Sequence, residues 1–159
     1  MSFSTSSGTR GKGMPLPAPV MRLVNRLVAR RLRATGGRGF AGRMNALVLT
    51  TVGARSGEER TVPVAWFPGD DGTWLVVASA GGDARNPAWF HNIAAHPDRV
   101  RIEVDRQHVG VTAEQLHGEE RAQAWAGIVA AAPGFADYAA ATDREIPVVR
   151  LAPRTRSAA

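Results

Sequence analysis

Residues 46–80 read ALVLTTVGARSGEERTVPVAWFPGDDGTWLVVASA, and the fold turns on this stretch. Three apolar runs rich in β-branched residues, 46–52, 60–67 and 73–80, are separated by Gly53-Ala54-Arg55-Ser56-Gly57 and by Gly69-Asp70-Asp71-Gly72. Runs of this length bounded by glycine-containing turns are the signature of strands joined as antiparallel hairpins. The pattern continues downstream: 100–105 and 107–115 flank a tight turn at Asp105-Arg106, and 146–151 returns as a last strand. Helical spacing interrupts the strands at 87–95, 119–132 and 135–141. Short strands with few helices predict a mainly β fold with helices, a small and mostly antiparallel barrel, and not a doubly wound sheet.

The chain of 159 residues is long enough for one domain with a modest core. Absence of cysteine excludes disulfides, thiolate metal sites and a cysteine nucleophile, so any redox chemistry falls to a cofactor. No signal-peptide core and no run of transmembrane length is seen, and a cytoplasmic location is expected. The net charge of +6 is unevenly placed, because nine of the 20 basic residues and none of the 14 acidic ones precede Ala46. The body is therefore mildly acidic, which argues against a nucleic-acid partner.

Residues 1–17 begin with a Ser-, Gly- and Thr-rich stretch and read as a disordered tail, and 154–159 read as a second tail. Within 18–45, Val20, Leu23, Val24, Leu27 and Val28 recur at helical spacing among Arg22, Arg26, Arg30 and Arg33, before Thr35-Gly36-Gly37-Arg38-Gly39 breaks the helix. This basic amphipathic helix either packs on the barrel, meets another subunit or lies on an anionic membrane surface through residues 18–34, at the inner face of the membrane. The barrel domain is expected over 46–153.

The candidate site is Val77-Ala78-Ser79-Ala80-Gly81-Gly82-Asp83-Ala84-Arg85-Asn86-Pro87-Ala88-Trp89-Phe90-His91-Asn92. Gly81 and Gly82 let backbone approach a ligand without a Cβ, and Asn86-Pro87 reads as an N-cap with proline at the first helical position. Unpaired amides and the positive end of the helix dipole favour a phosphate or carboxylate, with Ser79, Arg85 and Asn92 as further donors. A plain strand-to-helix turn carries the same local signals. Arg55 and Arg60 flank the first hairpin, where their planar guanidinium groups suit an anionic tail, although surface arginines on a hairpin read alike. His91, His96, His108 and His117 show no metal-ligand spacing, and no metal is expected.

Taken together, Thr50-Thr51-Val52-Gly53-Ala54-Arg55-Ser56-Gly57, then Arg60 and Pro63, then Ala78 to Gly82 with Arg85 to Asn92, and finally Thr142-Asp143-Arg144-Glu145-Ile146-Pro147-Val148, resemble the deazaflavin (coenzyme F420)-dependent nitroreductase family. The resemblance runs over about 46–153 and implies a split β-barrel that holds reduced F420 as a dissociable hydride donor. It places Arg55, Arg60 and the amides after Gly81 on the cofactor's phosphate and glutamate tail, with Arg85 and Asn86 beside them. Pro63, Val64, Ala78 and Trp89 can line the ring, Thr61 and Val62 count among the cofactor-binding residues, and by similarity Ser79, Ala80, Ala88, Trp89 and Asn92 fall at cofactor-contacting positions. The implied reaction is hydride transfer to a small hydrophobic, quinone-like or nitroaromatic acceptor, with the hard chemistry belonging to the cofactor.

The acceptor pocket is assigned to Trp66, Phe135 and Tyr138. Nitroimidazole-reducing members carry tyrosines in this segment; here Ala132 and Phe135 occupy two of those positions, and Tyr138 alone keeps a phenol able to donate a proton. Two other readings stay open: an FMN-type split-barrel oxidoreductase, and a non-catalytic protein that binds F420 or a lipid-like molecule.

Overall fold

A computed structural model of the protein describes residues 3–13, 17–37 and 44–154. The expectations for Arg38, Gly39 and Arg43 in the linker, and for residues 1–2, 14–16 and 155–159, lie outside the described residues. An initial helix, α1 (Ala18–Thr35), leads into strands β1 (Asn45–Val52), β2 (Glu59–Pro68) and β3 (Trp74–Val77). Helix α2 (Ala88–Ala95) separates these from β4 (Val100–Val104) and β5 (Gln107–Gln115). Helices α3 (Gly118–Ala131) and α4 (Gly134–Ala141) precede β6 (Val148–Pro153).

The strands close into an antiparallel barrel in the order β1-β2-β3-β6-β5-β4, as the hairpin pattern predicts. Alternation along each strand divides the core in two. Leu47, Leu49, Val76, Ile102, Val111, Val149 and Leu151 fill one buried cluster, which Trp89, Phe90 and Ile93 of α2 complete. Phe67, Leu75, Val77, Leu116 and Val148 face the other way and are covered by Ile128 of α3 and Phe135 of α4. Burying each such side chain contributes about 1.5–3 kcal/mol, so both faces of the sheet matter to stability. Asp105 and Arg106 both adopt positive φ, 49° and 65°, as a two-residue β4–β5 hairpin of the favoured twist requires.

Helix α1 divides along its length. Its C-terminal part buries Ala29 and Leu32 against Ala46 and Val48 of β1. Gly36, in the left-handed region at φ 79°, ends the helix and returns its amide to the Leu32 carbonyl at 2.8 Å. The N-terminal part leaves Val20, Leu23, Val24 and Leu27 exposed.

Two expectations are corrected by the described residues. The strand expected over 73–80 stops at Val77, because Ser79 turns into the helical region and Ala80, Gly81 and Gly82 all take positive φ. The last strand starts at Val148, not at residue 146. Residues 3–13 also differ from the tail inferred from composition, since they lie against the barrel. Gly8 and Lys12 donate backbone hydrogen bonds to the Ala84 and Gly82 carbonyls at 2.7 and 2.8 Å, and Phe3 meets Phe90 edge-on with ring centroids 5.9 Å apart. The small residues that suggest disorder are the ones that permit this close approach: a Cβ on Gly8 would overlap Asp143, and one on Gly11 would overlap the Ala84 backbone.

Candidate cofactor site

The early end of β3 opens the barrel wall. The β2–β3 ladder comprises Trp66–Val76, Phe67–Leu75 and Pro68–Trp74, whereas β2 pairs with β1 along its whole first part, down to Val52–Glu59. Among the described residues, 59–65 of β2 are therefore paired on one side only, and alternate backbone amides and carbonyls point away from β1. Had the ladder continued in register, Val64 would have faced Ala78. Instead Ala78 donates its amide to the Pro147 carbonyl at 2.9 Å and the chain leaves the sheet. Val62, Pro63, Val64, Ala65 and Trp66 are all half-buried, while β1 behind them is almost wholly buried. Val62 to Trp66 thus form a half-buried apolar stretch, and among the described residues its outer edge has no strand partner beyond the point where β3 gives way to the loop over 78–87.

That loop is held in a conformation side chains rarely adopt. Ala80 at φ 46°, Gly81 at 63° and Gly82 at 87° form three successive left-handed residues, and strain of this kind collects at functional sites. A Cβ on Gly81 would meet nothing within 4 Å, so this glycine faces open space, whereas one on Gly82 would press on Tyr138 and Ala141 of α4 at 3.1 Å.

Arg144 fastens the loop from below. Its side chain is 7 % exposed and donates through Nε to the Asp83 carbonyl, through Nη1 to Asn86 Oδ1 and through Nη2 to the Ser79 carbonyl, each at 2.9 Å. Burial pushes its pKa below the usual guanidinium value, and the charge of Asp83 opposes this only in part. Arg144 appears in the motif over 142–148, but nothing local in the sequence assigns it this role, since its partners lie 58 to 65 residues away.

The contact with Arg144 also corrects the reading of Asn86. It is not the N-cap of α2; Pro87 occupies that position without a side-chain cap, and the Asn86 carboxamide donates to the Thr5 and Ser6 carbonyls at 3.2 and 3.3 Å. The first amides of α2, from Ala88 onward, remain uncapped by side chains.

Asn92 is placed differently. Buried on α2, it accepts from the Ala54 amide at 3.0 Å and donates to Thr51 Oγ1 at 3.1 Å, tying α2 to the β1–β2 turn. Arg55 is exposed on that turn, and Arg60 beside it is about half exposed with Glu58 at 3.2 Å. Thr61 shares a hydroxyl contact of 3.2 Å with Thr50. Arg85 is exposed, its amide held by Asp83 Oδ1 at 2.8 Å. Ala88 is exposed at the start of α2, while Trp89 is buried in the barrel core, edge-on to Phe90.

The residues assigned to the acceptor pocket do not all come together. Phe135 and Tyr138 meet edge-on at 5.6 Å, and Tyr138 is exposed next to Gly82. Phe135 itself is buried against Phe67 at 5.7 Å. Trp66 packs with the other core cluster, on the opposite face of β2 from Phe67.

These residues fit a deazaflavin with an anionic tail. The open β2 edge offers backbone hydrogen bonds and a half-buried apolar strip to a planar heterocycle, and Arg55 on the β1–β2 turn, Arg60 on β2 and Arg85 on the loop over 78–87 are exposed cations.

Comparison with known proteins agrees. Residues 21–153 match the family model described as F420H(2)-dependent quinone reductase. The F420H(2)-dependent quinone reductase Rv1261c of Mycobacterium tuberculosis (strain ATCC 25618 / H37Rv) is 38% identical over 128 residues, covering 77% of this chain and 85% of the relative. Among solved structures, an F420-H2 dependent reductase, FDR-A, matches with a TM-score of 0.60 at 38% identity over 67% of this chain and 92% of that one. A structure described as a domain-swapped dimer matches with a TM-score of 0.62 at 34% identity, over 84% and 99% of the two chains. The barrel with an opened wall, the strained loop and these likenesses lead to one assignment: the chain belongs to the F420H(2)-dependent quinone reductase family.

Proposed function

We propose that this protein is an F420H2-dependent oxidoreductase that reduces a quinone-like acceptor. The observation that carries the proposal is the unpaired β2 edge beside the strained Ala80–Gly82 loop, within a chain of this family. When bound, the cofactor supplies a hydride, and a quinone that accepts it needs one proton to become the hydroquinone. Backbone groups of Thr61 to Val64 orient the ring along the open edge. Arg55, Arg60 and Arg85, with the amides of Gly81 and Ala88, hold the phosphate and glutamate charges. Tyr138, exposed beside Gly82, presents its Oη proton to the acceptor oxygen.

The test is oxidation of F420H2 under anaerobic conditions with a short-chain naphthoquinone, followed by loss of cofactor absorbance. Turnover with quinone supports the reading. F420 binding without turnover on any quinone would replace it with the non-catalytic binder.

A membrane role for α1 rests on a separate observation. Leu23 and Leu27 are 56% and 58% exposed, next to the exposed Arg22, Arg26 and Arg30. We propose that this face rests on anionic lipid, where a hydrophobic quinone is concentrated. No helix of the described residues is long and apolar enough to cross a membrane. Leu23→Asp with Leu27→Asp should abolish co-sedimentation with phosphatidylglycerol vesicles; unchanged co-sedimentation would remove the helix face from the account.

A further inference from the structure

The segment over 3–13 is built into the site. Besides the hydrogen bonds of Gly8 and Lys12 to the loop, the Thr9 and Arg10 amides donate to Asp143 Oδ1 at 2.8 and 2.9 Å, and the Thr9 hydroxyl bonds the other carboxylate oxygen. Thr142 Oγ1 returns a hydrogen bond to the Arg10 carbonyl at 2.7 Å. Thr142 and Asp143 thus hold this strap, while the adjacent Arg144 holds the loop, and Asn86 touches both. Strap and loop form one unit.

The strap carries two cations to that unit. Lys12 is bonded through its backbone to Gly82, the last of the three left-handed residues, and Arg10 lies two residues earlier. Both side chains are exposed, and neither takes an ion-pair partner among the described residues. Among the described residues, the polar contacts that fix Arg10 and Lys12 are made by their backbones, which leaves the charged groups available.

We infer that the strap is part of the cofactor site, and that Arg10 and Lys12 bind the outer carboxylates of the cofactor's glutamate tail. The inference rests on F420 being the cofactor. Its chemistry is that of a mobile polyanion met by two flexible cations at the mouth of the site, a contact sensitive to tail length and to salt.

The experiment measures equilibrium binding of three ligands by fluorescence: F420 with a long glutamate tail, F420 with a single glutamate, and the deazaflavin chromophore without phosphate or tail. Arg10→Ala with Lys12→Ala, which keeps every backbone contact, should weaken the long-tailed form by about fivefold or more at low salt. The loss should shrink for the single-glutamate form, vanish for the bare chromophore, and fade at high salt. Deleting residues 1–13 should give the same ranking.

An unaltered double variant, or an equal loss for all three ligands, overturns the inference. So does tighter binding after the deletion, which would make the strap a cover and not a ligand. Wild-type protein that binds none of the three refutes the functional reading and this inference together; wild-type binding with an unaltered double variant refutes this inference alone.

Discussion

Replacing Arg144 with methionine keeps an unbranched apolar stem that ends where the guanidinium begins, and removes all five donors. Three acceptors lose a charged partner at 2.9 Å: the Ser79 carbonyl, the Asp83 carbonyl and Asn86 Oδ1. A hydrogen bond to a charged group contributes about 1.5–3 kcal/mol, and an orphaned buried acceptor costs about 1–3 kcal/mol. Asn86 retains its contacts to Thr5 and Ser6, and the loop can shift toward water, so the sum is not realised in full. Removing one partner from a buried charged network costs about 3–5 kcal/mol, and local opening of the loop favours the lower end. The expected loss is therefore about 3 kcal/mol, which for a domain of this size lowers Tm by about 6–12 °C. Urea denaturation of Arg144→Met, combined with hydrogen exchange at Ser79 to Asn86, is the assay. Fast exchange confined to this loop and the strap, together with weaker F420 binding, is the expected signature. A loss below about 1 kcal/mol with unchanged loop exchange would refute the view that Arg144 sets the loop.

The carboxyl of Asp143 is held down at about 2 by the Thr9 hydroxyl and the Arg10 amide, against an ordinary value of 3.8. A lowered carboxylate stabilises attachment of the strap above the ordinary value, so amide protection at Thr9 and Arg10 should be complete above about pH 4 and fall as pH drops toward 2; Asp143→Asn should abolish this dependence, and protection lost instead between pH 7 and 5 would contradict the assignment. Ala80→Gly relieves a left-handed alanine at φ 46° and should be neutral or raise stability by up to about 1 kcal/mol in urea denaturation, whereas a marked loss would show that the methyl is packed. Phe135→Tyr adds a hydroxyl to a ring buried in the cluster with Phe67 and should cost about 1–3 kcal/mol in thermal denaturation, while a neutral outcome with new nitroimidazole turnover would restore Phe135 to the pocket wall.

What was legible in the sequence was local. Alternation and glycine turns gave the strands and the β4–β5 hairpin, since a two-residue turn fixes the register of its own flanks. The Val77–Asn92 stretch was recognisable because glycine, proline and a helix start are neighbours in the chain. The role of Arg144 was not, because three acceptors from one distant loop converge on it only in three dimensions. The same holds for residues 3–13, whose low apolar content gives no sign of docking; backbone hydrogen bonds and one ring contact at Phe3 hold them in place. The sequence reading assigns Trp66 and Phe135 to one pocket, yet the odd–even alternation of β2 sends Trp66 to the face opposite Phe67 and its partner Phe135. The open β2 edge likewise depended on where β3 stops, and that point is set by the turn at Ser79.

The most direct test of the account is a paired titration of the purified protein with F420 and with FMN at the same low salt, read by cofactor fluorescence. Several cations around an open strand edge exceed what a single phosphate needs, so F420 should bind at least about tenfold more tightly, with the difference narrowing as salt rises. Equal or tighter binding of FMN would contradict the central claim.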